Sequence, residues 1–553
     1  MPIDIVLLGP PGSGKTRACI TACREWFKKH KASASEVAYL AFTTAAADEA
    51  AGRILDEDIQ RDVGDRLPFF KTIHSVAYRG MRAERRDIRP VLPNDMKYFS
   101  TVSGYEGTFA VNNTSENLAE AYQLSEVQPN TIWDRCLVAY NLTRATATSR
   151  DHIERSQRTC SATARRLVGY LEEDAYQAFV KSYEQFKLAN GLVDFTDMLV
   201  YAMTQMVPFD RVKYVVVDEA QDLSPILNTV VESLFRHAEL RLWAGDDDQC
   251  IFSFAAADPQ MFIDRARRSR RFFLRETNRF GKEIVDFSMP IIRRVRDRVP
   301  KELVGMSTKA HNIRTTGDFT PAHATKTMLL HRHKAGCQAL ASMYYREGLP
   351  FRNEKGKDPL GPSHSHILEG FRAFIDLADG KDVHMASVND MVQKLMPTQI
   401  VAPNGEKKKL LVHGAKKKME DAKGRTNLMD LVHSKILTPE GGNLIAAKDY
   451  YQLHRSDDLQ YYHRVLDRGL PLDGEKCTTI TTMHASKGRE ADRVVIFNER
   501  GRRCVEDVDS EHRLAYVAAT RTMGDLEICM ERNVDWAEYP YDYPTREKDG
   551  MWR

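Results

Sequence analysis

The chain has 553 residues, 42% of them hydrophobic, which is enough for several buried cores and, at this length, suggests roughly three to four domains. Lys and Arg total 80 against 77 Asp and Glu, so the net charge of +3 excludes a wholesale polycation, and any polyanion site must come from local charge. The nine scattered cysteines show no CxxC pair and no zinc-site spacing; there is no basic leader before Leu8 and no apolar run near about 18 residues, so a cytoplasmic protein with reduced thiols and no membrane partner is expected.

In chain order, a short apolar strand (Ile3 to Leu8) runs into GPPGSGKT at Gly9 to Thr16 and then a helical pattern, Arg17 to Lys29. A second strand, Val37 to Phe42, ends in TTAAADEA. The polar, turn-rich stretch from about residue 79 to 165 reads as an insertion. Alternation of helix and strand resumes with the amphipathic stretch Tyr176 to Leu188, then Tyr214 to Val217 ending in DEAQD, then Leu240 to Ala244 ending in GDDDQ. Three apolar strands ending in polar loops fit a parallel sheet with its site at the strand C-termini. After Pro259 the basic run DRARRSRRFFLR (Asp264 to Arg275) opens a second α/β pattern that includes Thr327 to Leu330. From Lys355 to Gly474 the composition shifts, and Pro403 to Arg425 is basic and helix-prone, a second insertion. Strands return at Thr478 to Thr482 and Arg493 to Phe497, and EYPYDYPTREKDGMWR reads as a peripheral tail. The expected division is a first α/β lobe of 1–78 and 171–258 carrying an insertion, 79–170. The second α/β lobe is expected from 259–354 and 475–553, carrying an insertion, 355–474.

Gly9 to Thr16 matches GxxxxGK[ST] between a strand and a helix, the context this motif needs. Backbone N–H groups along Gly9, Gly12, Ser13 and Gly14 can curl around phosphates, with Pro10 and Pro11 shaping the turn. Lys15 is expected on the β- and γ-phosphates and Thr16 on Mg²⁺. Asp218 and Glu219 follow the buried-type strand VVV: the first suits Mg²⁺, the second suits the attacking water.

With these residues the chain resembles a superfamily 1 helicase of the UvrD/Rep type. Nine segments carry the resemblance in order: GPPGSGKT, AFTTAAADEA, TIHS, DFTDML, VDEAQD, GDDDQCIFSF, LRETNR, TTMHASKGRE and EHRLAYVAATR. It implies two P-loop, RecA-like α/β motor domains with parallel sheets, each carrying a mainly helical insertion, that hydrolyse ATP with Mg²⁺ in a cleft. It further implies translocation on single-stranded DNA, 3′ to 5′, and unwinding at a duplex junction; displacement of bound proteins without unwinding is the alternative. Gln249 is then expected between the γ-phosphate and the DNA, and Arg279 and Arg521, from the second lobe, at the γ-phosphate. Glu490 is expected on the ribose and Arg17 beside the base, with His484 and Lys487 near the coupling surface and His484 on DNA. Phe42 with Thr43, His74 with Ser75, and Phe252 with Phe254 correspond to DNA-contacting positions; for Phe252 and Phe254 core packing is the other reading. Lys407 to Lys409 and Lys416 to Lys418 are either a duplex contact or a solvated helix face.

The chain also departs from the family pattern. Only eight residues precede Gly9, where relatives carry a Gln segment that reads adenine. Asn278 replaces the aromatic before the finger Arg. Thr44-Ala45 and Phe254-Ala255 stand for Asn-Lys and Trp-Arg, so fewer cationic contacts to DNA are expected. A small-molecule kinase would share GPPGSGKT, but not the Arg279 and Arg521 segments. His364 and His366 are assigned to the surface, and Cys19 and Cys23 to the core.

Overall fold

The computed structural model of the protein describes residues 2–55, 59–60, 67–107, 109, 131–169, 171–353, 362–402, 405–419, 423–453, 457–471, 477–498 and 508–530. Cys504 and the tail from Glu538 lie outside these residues. Two compact units account for the rest. The first takes the described residues up to His311 together with those of Gly501–Thr520; the second takes those of Asn312–Arg500 and Arg521–Asp535.

The first unit contains β1 (Ile3–Leu8), β2 (Val37–Ala41), β3 (Phe70–Thr72), β4 (Arg89–Pro90), β5 (Leu192–Val193), β6 (Tyr214–Val217), β7 (Leu240–Gly245), β8 (Arg270–Phe273), β9 (Glu276–Thr277) and β10 (Val304–Gly305). Six of them form one parallel sheet in the order β3-β2-β6-β7-β1-β8. Its strands β1, β2, β6 and β7 are largely apolar because both faces are covered, whereas the edge strand β8 is largely exposed. Val6, Leu8, Leu40, Val215 and Trp243 pack into a core on one face, and Leu7, Tyr39, Val216 and Ala244 into a core on the other, where Cys19 and Cys23 are buried as expected. β8 pairs with β1, Ile5 opposite Arg270, so this unit runs beyond residue 258, where the second lobe was expected to begin.

Among the described residues of the expected first insertion, 79–170, helices predominate beside β4, and a core forms around Phe99, Tyr140, Phe179 and Tyr183. Helix Glu173–Ala189, expected to rejoin the motor domain, packs there instead: its stripe Tyr176, Phe179, Val180, Tyr183 and Phe186 meets an aromatic cluster, with Trp133 stacked on Phe179 at 5.7 Å and Phe99 edge-on to Tyr183 at 5.6 Å.

The second unit contains β11 (Ile313–Thr316), β12 (Thr327–His331), β13 (Phe351–Arg352), β14 (Val383–His384), β15 (Gln399–Val401), β16 (Lys407–Lys409), β17 (Arg425–Thr426), β18 (Thr478–Thr482), β19 (Ala491–Phe497) and β20 (Thr522–Cys529). Its main sheet is again six-stranded and parallel, β11-β20-β19-β12-β18-β13. The fold is thus α/β with two parallel sheets, as expected. The second insertion is not purely helical: Lys407–Lys409, expected in a helix, forms an exposed strand paired antiparallel with β15, while Lys416 to Lys418 do lie on a short helix, Ala415–Met419. Among the described residues no helix is long and apolar enough to cross a membrane.

Candidate nucleotide site and aromatic face

The end of β1 delivers the chain into a loop that turns on two left-handed glycines, Gly12 (φ 74°) and Gly14 (φ 83°), and Gly14 caps the helix Lys15–Lys28. No acidic side chain sits in the first turn of that helix, so its N–H groups and partial positive charge face the loop. The Lys15 ammonium is buried and donates to Gly9 O at 2.7 Å and Pro10 O at 3.4 Å. Ser13 Oγ is buried with no hydrogen-bond partner among the described residues. A buried hydroxyl without a partner, in a glycine-turned loop at a helix N-terminus, is chemistry that a phosphate chain satisfies.

Residues beyond β8 close over this loop. A Cβ on Gly12 would stand 2.7 Å from both Arg279 Cβ and Thr277 Oγ1, so only glycine admits the approach. The Thr277 hydroxyl donates to Pro11 O at 2.7 Å, and Arg279 Nη1 donates to Thr520 O at 3.3 Å. Arg279 therefore belongs to the same unit as the loop, where a place in the second lobe was expected.

β6 carries the carboxylates. Asp218 Oδ2 accepts from the Thr16 hydroxyl at 3.0 Å and from the Tyr39 hydroxyl at 2.6 Å, and Asp218 Oδ1 accepts from Glu219 N at 3.0 Å. Burial, and then the neighbouring Glu219 charge, hold the Asp218 carboxyl above the ordinary range; burial and Asp218 push the Tyr39 phenol up as well. The Thr16 and Asp218 oxygens form a hard donor pair of the kind Mg²⁺ takes. Glu219 has a left-handed backbone (φ 52°), a strained position for a side chain of its size that is held by its surroundings. Those surroundings form a relay. Gln221 Nε2 donates to Glu219 Oε2 at 2.6 Å, Asp246 N donates to Gln221 Oε1 at 3.0 Å, and Gln249 Nε2 donates to Asp246 Oδ2 at 2.7 Å. Gly245 is required for this approach, since a Cβ there would lie 2.5 Å from Gln221 Oε1.

The aromatic positions divide by exposure. Phe42 and Phe252 stack with centroids 6.1 Å apart and planes within 6°, and Phe254 stands edge-on to Phe252. Phe254 is 38% exposed and Phe252 7%, so Phe252 is the floor and Phe254 the accessible ring. His74 is likewise buried, edge-on to Phe195 at 5.8 Å, and burial holds it neutral by lowering its pKa to about 4. Neither His74 nor Phe252 offers the accessible side chain expected of it. Thr43 is exposed at its helix end, but its hydroxyl accepts from Ala46 N at 3.2 Å and caps the helix Thr44–Ile54. Ser75, half-buried, is held by Thr72, whose hydroxyl donates to Ser75 Oγ at 2.9 Å.

The structure thus brings Gly9 to Arg17, Asp218, Glu219, Gln249 and Arg279 together in the first unit with Phe42 and Phe254. Arg521, Glu490, Lys487 and His484 lie in the second unit. There Arg521 is buried, with Nη1 donating to Arg489 O at 3.4 Å, and Glu490 is exposed. His484 is buried and kept neutral by burial and by the charges of Arg332 and His333. His366 is exposed, as expected, and the side chain of His364 lies outside the described residues. Tyr39 and Gln221 join the site without having been expected there. The signal for Gln221 was present, three residues past Asp218 in DEAQD, whereas nothing local marks Tyr39.

The family model for the UvrD/REP helicase N-terminal domain matches residues 3–269. A probable DNA helicase II homolog from Mycoplasma capricolum subsp. capricolum is 21% identical over 311 residues, 54% of this chain and 40% of that protein. An ATP-dependent helicase/nuclease polypeptide from Alkaliphilus metalliredigens is 34% identical over 106 residues, 18% of this chain and 9% of that protein. The exonuclease/helicase polypeptide RexA from Streptococcus pneumoniae serotype 4 is 28% identical over 140 residues, 23% of this chain and 11% of that protein. The matched regions cover between 9% and 40% of these relatives' own lengths.

Proposed function

We propose that this chain, which belongs to the UvrD/REP helicase family through residues 3–269, is a DNA-stimulated ATPase that moves along single-stranded DNA and separates duplex at a junction. One observation carries this reading: an unbroken line of contacts from the phosphate loop through Thr16, Asp218, Glu219, Gln221 and Asp246 to Gln249, in the segment that also presents Phe254.

In this reading the γ-phosphate takes the Lys15 ammonium away from the Gly9 and Pro10 carbonyls, and the loop amides hold the remaining phosphates. Thr16 and Asp218 would hold Mg²⁺, which when bound neutralises phosphate charge. Glu219 orients the attacking water and takes its proton, and the Gln221 amide fixes the carboxylate for that task. Gln249, tied to the same relay, reports the state of the phosphate to the aromatic face. Arg279 adds a positive charge beside the loop; Arg521 on the phosphate, Glu490 on the ribose and His484 at the strand follow from family position. Phe254 stacks on a base without regard to its identity, as a motor that steps along any sequence requires. The polarity, 3′ to 5′, also follows from family position.

Strand displacement on duplexes with a 3′ or a 5′ single-stranded tail, run beside ATP hydrolysis with and without single strands, tests the proposal. Unwinding from the 3′ tail is expected. Unwinding from the 5′ tail alone overturns the polarity, and ATP turnover indifferent to DNA overturns the motor itself. DNA-stimulated turnover that strips streptavidin from a biotinylated strand without unwinding would identify a translocase that displaces proteins.

A further inference from the structure

The GDDDQ segment sets three consecutive carboxylates, Asp246, Asp247 and Asp248, on a single turn, and all three are buried. Like charges withdrawn from water repel, so a turn of this composition holds its shape only around fixed cations. Lys301 supplies the central one. Its side chain is 5% exposed, and its ammonium lies 2.9 Å from Asp246 Oδ1, 2.6 Å from Asp247 Oδ1 and 2.9 Å from Asp248 Oδ2. Although burial alone would favour the neutral amine, the three aspartates keep Lys301 charged. Arg298 takes both oxygens of Asp248, at 2.8 and 2.5 Å. The main chain is pinned too: Val299 N donates to Asp247 Oδ2 at 2.8 Å, and Arg513 Nε donates to Asp247 O at 3.0 Å.

Lys301 bridges all three carboxylates, and Asp246 is the one through which the turn reaches the nucleotide machinery. Its carboxylate accepts from the Gln249 amide and its N–H holds the Gln221 amide, which in turn holds Glu219. We propose that Lys301 is a positioning residue for ATP turnover: by bridging Asp246 to Asp247 and Asp248, it fixes the group that orients Gln249 and, through Gln221, Glu219. The inference rests on the motor reading above, in which Glu219 and Gln249 act on the nucleotide. Lys301 itself meets no phosphate in this scheme, so its loss acts on the rate of the chemical step and leaves binding alone.

The full chain carrying Lys301→Met should lose on the order of 100-fold in single-strand-stimulated kcat, the scale of a small misplacement of reacting groups, while its affinity for a fluorescent ATP analogue is kept. A second variant separates position from stability. Lys301→Met/Asp247→Asn removes one carboxylate charge along with the ammonium, so its melting temperature should recover towards that of the unsubstituted chain. Its kcat should stay low, because the ammonium that bridged Asp246 is gone. Turnover that returns together with stability overturns the proposal, as does a folded Lys301→Met that turns over at the unsubstituted rate. Absence of ATP turnover in the unsubstituted chain sinks the motor reading and this proposal together, whereas equal turnover in the two chains sinks this proposal alone.

Discussion

Lys15 and Glu219 are assigned to the two sides of the same phosphate and should fail differently when replaced. Lys15→Ala removes the buried ammonium on the loop carbonyls and should abolish ATP turnover by weakening the triphosphate complex. Glu219→Gln should still bind ATP, since the loop is untouched, and should lose hydrolysis; near-normal turnover of this variant with DNA present would reassign the water-activating group. The two phenylalanines form a second contrasting pair. Phe254→Ala should weaken single-strand binding by about 1–3 kcal/mol in a fluorescence anisotropy titration, the worth of one base stack, with little change in melting temperature. Phe252→Ala, which empties a buried site, should destabilise the fold by about 3–5 kcal/mol. Both phenylalanines were legible as candidates, but their division into floor and accessible ring was not, because alternation within a short irregular turn has no fixed period. The loop and the DE pair were legible because each motif states its own mechanism. Lys301 was not: it follows Asp248 by some fifty residues, and a lone lysine in a polar stretch reads as a solvated side chain until the fold brings it among carboxylates.

Three helices of the first unit meet in one buried charge network. Arg144 from helix Ile132–Ala145 and Lys187 from helix Glu173–Ala189 converge on Asp194 and Asp197, which also cap the helix Phe195–Thr204. Arg144 reaches Asp194 at 2.7 Å and Asp197 at 2.6 Å, and Lys187 reaches them at 2.9 and 2.6 Å. The network ties the insertion to the segment that returns to the sheet. Lys187→Met leaves buried carboxylates undercompensated and should cost about 3–5 kcal/mol in denaturant unfolding. The two aspartates are displaced in opposite directions. Asp194, despite burial that pushes it up, is held below its usual range by Arg144 and Lys187, while burial and the Asp194 charge raise Asp197 to about 6. A raised acid binds its proton more tightly in the folded chain, so its contribution is full below the unfolded value of about 4 and is lost as pH climbs through about 6. The stability of the unsubstituted chain relative to Asp197→Asn should therefore fall between about pH 4 and pH 6; a flat difference in the two unfolding midpoints would count against the assignment. The amphipathic helix Glu173–Ala189 was legible as a helix from its stripe, but the stripe does not say which core will receive it. For Lys407–Lys409, the run of lysines favoured a helix over a strand, and pairing with β15 reversed that preference.

Each unit has its own six-stranded sheet and its own buried core, so the whole chain should not unfold in a single step. Calorimetry should resolve two transitions. A non-hydrolysable ATP analogue with Mg²⁺ at about 100 times its Kd should stabilise the unit that holds the phosphate loop by about 2.7 kcal/mol. A single transition, or one whose loop-bearing part is indifferent to nucleotide, would contradict this. That there are two α/β units was legible from the alternation of strands and loops. Their boundary was not, because helix Val508–Ala519 returns to pack on helix Lys282–Ile292 in the first unit, a long-range event without a local signature. That return has a consequence for biosynthesis. The first unit receives Arg513 only when the chain has grown past residue 513, and the second receives β20, an internal strand of its sheet, only when residues 522–529 follow. A chain emerging from a ribosome therefore holds two unfinished units until these residues have been made. The two are completed within a few residues of each other, so a product released before residue 513 carries a phosphate loop whose GDDDQ turn is held by Lys301 and Arg298 but lacks the Arg513 contact.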